Sequence, residues 1–209
     1  MTDYPVALAA EDFVPVVLTT VGIALLVPYV SGRRGEQAGR LTALAAAFAG
    51  AGGLSKATWK LIVALDGPDL QWLNQALFPL LMIGFTLLAR ALLPESRGVA
   101  YALAAVPVLG LVCSALLRDT WPAMVLTIVL VSVIAVRLAL LARADGDTTA
   151  AALFGVWLAG QYVLGPLAAR PDQTVALQWI EQGCNTLTQA AFAYGAWRLA
   201  SRTKEPVRA

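Results

Sequence analysis

Apolar residues fall into seven runs separated by short polar turns. A membrane-spanning helix needs about 20 mostly apolar residues, and each run is close to that length. The pattern predicts helices over Phe13–Val30, Leu41–Leu65, Leu70–Leu92, Gly98–Leu117, Trp121–Ala142, Thr149–Ala169 and Thr174–Ala200. The turns between them are rich in Gly, Pro and Asp, the residues that end helices. Examples are Ser31–Gly35, Asp66–Asp69, Pro94–Gly98, Ala144–Asp147 and Arg170–Asp172. The fold expected is an all-α integral membrane protein, a single seven-helix transmembrane domain over residues 1–209. The acidic residues before the first run and the lack of an A-x-A site after it argue against a cleaved signal peptide.

Composition agrees. Charged residues make up 13% of the chain and hydrophobic residues 59%; mean hydropathy is +0.71. A soluble domain carries about 25% charged residues to wet its surface. The chain has no histidine, which excludes His-ligated zinc or haem and Ser-His-Asp catalysis. Cys113 and Cys184 lie far apart in apolar runs, so no CxxC motif or disulfide framework exists. Neither a metal nor a cofactor is expected. A net charge of +2 gives no reason to expect nucleic acid.

Arginine and lysine set the orientation. One face would carry Arg33, Arg34, Arg40, Arg90, Arg97, Arg137, Arg143, Arg198, Arg202, Lys204 and Arg208; the other carries Arg118 and Arg170. The bias places the amino terminus outside and the carboxyl terminus in the cytoplasm of a multi-pass cell-membrane protein (plasma or inner). Asp3, Glu11, Asp12, Asp66, Asp69, Asp119 and Asp172 fall on the outer side.

An internal repeat is also suggested. Leu70-Gln71-Trp72-Leu73-Asn74-Gln75 opens the third run, and Leu177-Gln178-Trp179-Ile180-Glu181-Gln182 opens the seventh, 107 positions later. The same offset pairs Phe85 with Phe192, Gly53 with Gly160 and Pro15 with Pro122. Residues 13–92 and 121–200 would form two parallel repeats of three helices, linked by the helix at 98–117. This 3-1-3 layout is shared by unrelated membrane proteins and leaves the family open. The middle of the seventh run, Asn185–Gln189, has no lysine on which retinal could form a Schiff base.

The polar residues of the seventh run form a stripe. At 100° per residue, Gln178, Glu181, Gln182, Asn185, Thr188 and Gln189 share an arc of about 120°, opposite Ala176, Ile180, Gly183, Leu187 and Tyr194. Such a face is costly against lipid and is expected to look inward. The second run adds Lys56 and Lys60 on one face, with Trp59 between them. Lys60, about 9 Å below Asp66 at 1.5 Å per residue, has two readings: snorkelling outward or pairing with Glu181, at a similar depth. Lys56, about 15 Å below, is too deep to snorkel and calls for a partner or water. Pairing Lys60 with Glu181 requires the second and seventh runs to be neighbours.

Lys56, Trp59, Lys60, Asn74, Gln178, Glu181, Gln182, Asn185 and Gln189 thus outline an outward-facing pocket of net positive character, set between the second, third and seventh runs. It would bind or transport a small anionic, zwitterionic or lipid-like ligand. A non-catalytic subunit, its stripe packed on a membrane-protein partner, is the alternative. An intramembrane lipid enzyme using Glu181 is the weakest, because one carboxylate lacks a second acid–base group.

Overall fold

The computed structural model describes residues 5–168 and 174–202, with the side chains of 165–168 outside that description. Arg170 and the turn around it, Asp3, Asp172, Lys204 and Arg208 lie outside the described residues. All regular structure described is helical: α1 (Val6–Glu11), α2 (Phe13–Arg34), α3 (Glu36–Ala64), α4 (Gln71–Gln75), α5 (Leu77–Leu92), α6 (Arg97–Leu117), α7 (Trp121–Ala144), α8 (Thr148–Ala168) and α9 (Val175–Arg202).

Among the described residues, four helical stretches are long and apolar enough to cross a membrane: Val6–Arg34, Gln71–Leu92, Arg97–Leu117 and Trp121–Ala144. The helices α3 and α9 are longer than most, at 29 and 28 residues, but less apolar. Large apolar side chains also point outward from the bundle, among them Val17, Val129, Leu140, Val156 and Leu187. A soluble monomer rarely exposes so much contiguous apolar surface; a helical membrane protein presents it to lipid.

Two prolines coincide with breaks in the helices. Pro15 has no N–H for the carbonyl of Glu11, and its ring crowds that carbonyl. The helix is interrupted there, between α1 and α2. Helix therefore begins earlier than the predicted Phe13, and Leu8 and Ala9 are fully buried. Pro79 likewise leaves the carbonyl of Gln75 without its i+4 donor, and the predicted helix over Leu70–Leu92 splits into α4 and α5. At the other end, α2 stops at Gly35, whose φ of +86° suits glycine, and α3 starts at once. The Glu36–Arg40 ion pair, 2.7 Å and one turn apart, carries α3 outward past the apolar run that begins at Leu41.

The helices pack as a closed circuit: α2 on α3, α3 on α5, α5 on α7, α7 on α8, α8 on α9 and α9 back on α2. Outside it, α6 packs on α5 and α7 and buries only Leu103 and Gly110. Small residues allow the close approaches. A Cβ on Gly52 would stand 2.9 Å from the carbonyl oxygen of Leu77 in α5, and one on Gly160 would stand 2.2 Å from Thr188 Oγ1 in α9. Across the circuit, Phe192 stacks on Trp157 with ring centroids 4.3 Å apart, both fully buried.

Candidate functional site

Charged side chains meet at the α1–α2 junction. Asp12 Oδ2 lies 2.7 Å from Lys60 Nζ on α3, and both side chains are about nine-tenths buried. The approach is ion-pair close but misses the angle of a hydrogen bond, since Oδ2 has no hydrogen-bond partner among the described residues. Next to it, Glu11 Oε1 accepts a hydrogen bond from Thr186 Oγ1 on α9. Glu11 Oε2 is buried with no donor among the described residues, as is Gln178 Oε1. Lys56 has an exposed side chain and lies within the electrostatic reach of Asp12 at the α1–α2 junction, Lys60 on α3 and Glu181 on α9.

This geometry corrects the expected pairing. Lys60 takes Asp12, not Glu181, and no cation lies at ion-pair distance from Glu181 among the described residues. The expected neighbouring of the second and seventh spans also fails: α3 and α9 are separated by α2 and share at most a marginal contact. The short α1 touches both of them and supplies the acids that reach across. Of the two readings for Lys60, snorkelling fails, since its side chain is buried in an ion pair; Lys56, expected to need a partner or water, has an exposed side chain. Finally, the expected net positive character is lost. Glu11, Asp12 and Glu181 set three carboxylates against two ammonium groups.

The other predicted residues separate by location. The stripe on α9 faces as expected: Gln178 and Thr188 are buried, Glu181, Gln182, Asn185 and Gln189 half-buried, and Ile180, Leu187 and Tyr194 exposed. Part of that stripe is engaged in packing. Gln189 Oε1 accepts from Trp157 Nε1 at 3.1 Å, and its Nε2 donates to Asn185 Oδ1 at 3.3 Å. Trp59, on α3, reaches the turn that follows that helix, its Nε1 donating to Asp69 Oδ1 at 2.7 Å. That bond, with one from Gln71, holds the Asp69 carboxyl below the usual carboxylate range. Asn74 is half-buried on α4, which is tied to α3 where Ser55 Oγ donates to Leu73 O at 2.6 Å.

Glu11, Asp12 and Thr186 are the residues that sequence reasoning missed. A signal was present: Val6-Ala7-Leu8-Ala9-Ala10 is apolar, so the two acids interrupt an apolar run and do not precede one.

The arginine-rich end is built differently. Asp147, between α7 and α8, accepts from Ala150 N–H at 2.9 Å and caps α8. It also takes Arg198 Nε and Nη2 at about 3.0 Å and Arg202 Nε at 3.2 Å. Burial pushes its carboxyl up, but these hydrogen bonds and arginine charges outweigh it and leave it below the usual range. Asp145 accepts from Tyr29 Oη at 2.7 Å and pairs with Arg33.

No family model, no curated protein and no solved structure matches this chain.

Proposed function

We propose that the chain is a seven-span protein of the cell membrane, amino terminus outside, which binds or carries a small zwitterionic or amine-bearing ligand in the crevice where α1, α3 and α9 bring their charges together. The observation that carries this reading is Glu11 Oε2, a buried carboxylate oxygen with no hydrogen-bond partner among the described residues; Gln178 Oε1, about two turns along α9 from Thr186, is another such acceptor. A buried polar atom left without a partner costs about 1–3 kcal/mol, so a donor from water or a ligand is in demand. Both atoms want N–H or O–H, which an ammonium group supplies and a bare anion does not. Lys56, within electrostatic reach of Asp12 and Glu181, is suited to the carboxylate of a zwitterion.

The seven-span, amino-terminus-out arrangement is supported by the arginine bias of the loops and by α3, α8 and α9 completing the circuit with the more apolar helices. The order of neighbours supports a repeat: α2, α3 and α5 pack in sequence as α7, α8 and α9 do, and α5 against α7 matches α9 against α2. The expected pair Gly53 and Gly160 does not share a role: a Cβ on Gly53 would meet Val16 of α2, and one on Gly160 would meet Thr188 of α9.

The test is chemical access. In a background with Cys113 and Cys184 replaced by Ala, Lys56→Cys is expected to react with a membrane-impermeant thiol reagent added outside cells, and millimolar glycine is expected to slow that reaction. Reaction only with lipid-soluble reagents overturns the crevice. Protection by acetate equal to that by glycine overturns the preference for an amine.

A further inference from the structure

A cavity of about 300 Å³ lies at the arginine-rich end and is lined by Tyr29, Val30, Arg33, Arg34, Leu92, Arg137 and Leu141. It belongs to neither the outer crevice nor its charges. Three guanidinium groups from two helices reach it, Arg33 and Arg34 from α2 and Arg137 from α7. Arg33 is neutralised by Asp145 and stacks over the Tyr29 ring at 4.8 Å. The other two are held by neutral carbonyls at the end of α5: Arg34 donates to Leu93 O, and Arg137 Nε donates to Leu92 O at 3.2 Å. The carboxylate nearest Arg34 is Glu95 at 3.8 Å, and its side chain is 78% exposed to solvent. Among the described residues Arg137 has no carboxylate at ion-pair distance.

A guanidinium carries five N–H donors in a planar fork. The Leu92 carbonyl uses one of Arg137's, leaving the paired Nη donors that match phosphate oxygens. The carbonyls orient the two arginines without cancelling their charge, so the cavity has a surplus of positive charge. Val30, Leu92 and Leu141 make the rest of the wall apolar. A volume of about 300 Å³ is at the small end of the range for ligand sites. Basic pockets between spanning helices at the arginine-rich face are suited to anionic headgroups.

We infer that this cavity binds a phosphate-bearing anion, with Arg34 and Arg137 gripping the phosphate and Tyr29 and the apolar wall taking what is attached to it. The phosphate comes either from an anionic lipid headgroup or from a free phosphate, and the same titration separates these sources. Detergent-purified protein is titrated with dihexanoyl phosphatidylglycerol, with dihexanoyl phosphatidylcholine and with inorganic phosphate, reading the thermal midpoint. A rise of several degrees with phosphatidylglycerol but not with phosphatidylcholine or inorganic phosphate assigns a lipid headgroup. A rise with inorganic phosphate as well assigns the free anion. Arg137→Gln should weaken the effective ligand at least tenfold, and Arg97→Gln, at an exposed site on the same end, should leave it unchanged. Leu141→Trp fills the cavity with every charge in place and should abolish the response while the unliganded midpoint holds, which keeps the test decisive if Arg137→Gln folds poorly. No rise with either phosphate source, or equal losses from Arg97→Gln and Arg137→Gln, overturns the site.

Discussion

Two charge clusters, one at each end of the bundle, are satisfied to different degrees. At the arginine-rich end, Asp147 is saturated by a backbone N–H and two arginines, and Asp145 by Tyr29 and Arg33. At the other end, Asp12 and Lys60 are buried together, but Glu11 and Gln178 each keep an acceptor with no donor among the described residues. Both clusters link segments distant in sequence. The saturated one fastens the ends of α2, α7, α8 and α9. The unsaturated one keeps buried acceptors that no described residue satisfies, and such groups call for an explanation.

Four measurements break or sharpen this contrast. The largest effect is expected from Lys60→Met, which leaves the buried Asp12 carboxylate without its ion-pair partner. Breaking a buried pair costs about 3–5 kcal/mol, and the double change Lys60→Met with Asp12→Asn should recover part of it. A double-mutant cycle on unfolding free energy measures the coupling; a value near zero would remove the pair from the fold's support.

Asp147→Asn ranks next. Asparagine keeps the α8 cap but surrenders the charge-assisted bonds, worth about 1.5–3 kcal/mol. Arg198 and Arg202 are open enough to rehydrate, with side chains 27% and 44% exposed, which is why the loss is smaller than at Lys60. Asp147→Ala should cost about 1 kcal/mol more, the value of the cap. Equal melting of the Asn and Ala variants would contradict the capping role.

The pH dependence of that gap is a third measure. The folded Asp147 carboxyl lies below its unfolded value, so its contribution is complete above the unfolded value of about 3.9 and fades as pH falls through the folded one. The difference in melting temperature between wild type and Asp147→Asn should be constant from about pH 5 to 8 and shrink below about pH 4. A gap that widens on acidification contradicts the sign.

The smallest effect belongs to Glu181→Gln. With no ion-pair partner among the described residues, it should change stability by about 0–1 kcal/mol, as for an exposed charge. A loss as large as that of Lys60→Met would restore the Lys60–Glu181 pairing in place of the Asp12 one.

The sequence by itself determined the helices and the inward face of the last one. Apolar run length marks a helix in any context, and the α9 stripe from Gln178 to Gln189 needs only the 3.6-residue period to show its buried side. Tertiary structure alone decided the partners. Lys60 was legible as a costly charge, but its carboxylate could be chosen only once Pro15 had broken the helix at Glu11 and left α1 touching both α3 and α9. The arginine cavity was hidden for the same reason. Arg33, Arg34 and Arg137 read as ordinary signs of a cytoplasmic face, and only packing shows that Arg34 and Arg137 spend donors on the carbonyls ending α5 and converge with Arg33 on one space. Local pattern settles what each segment is, because periodicity and transfer energy act over a few turns. Which charges meet depends on contacts between residues 45 to 175 positions apart, and no local pattern carries that information.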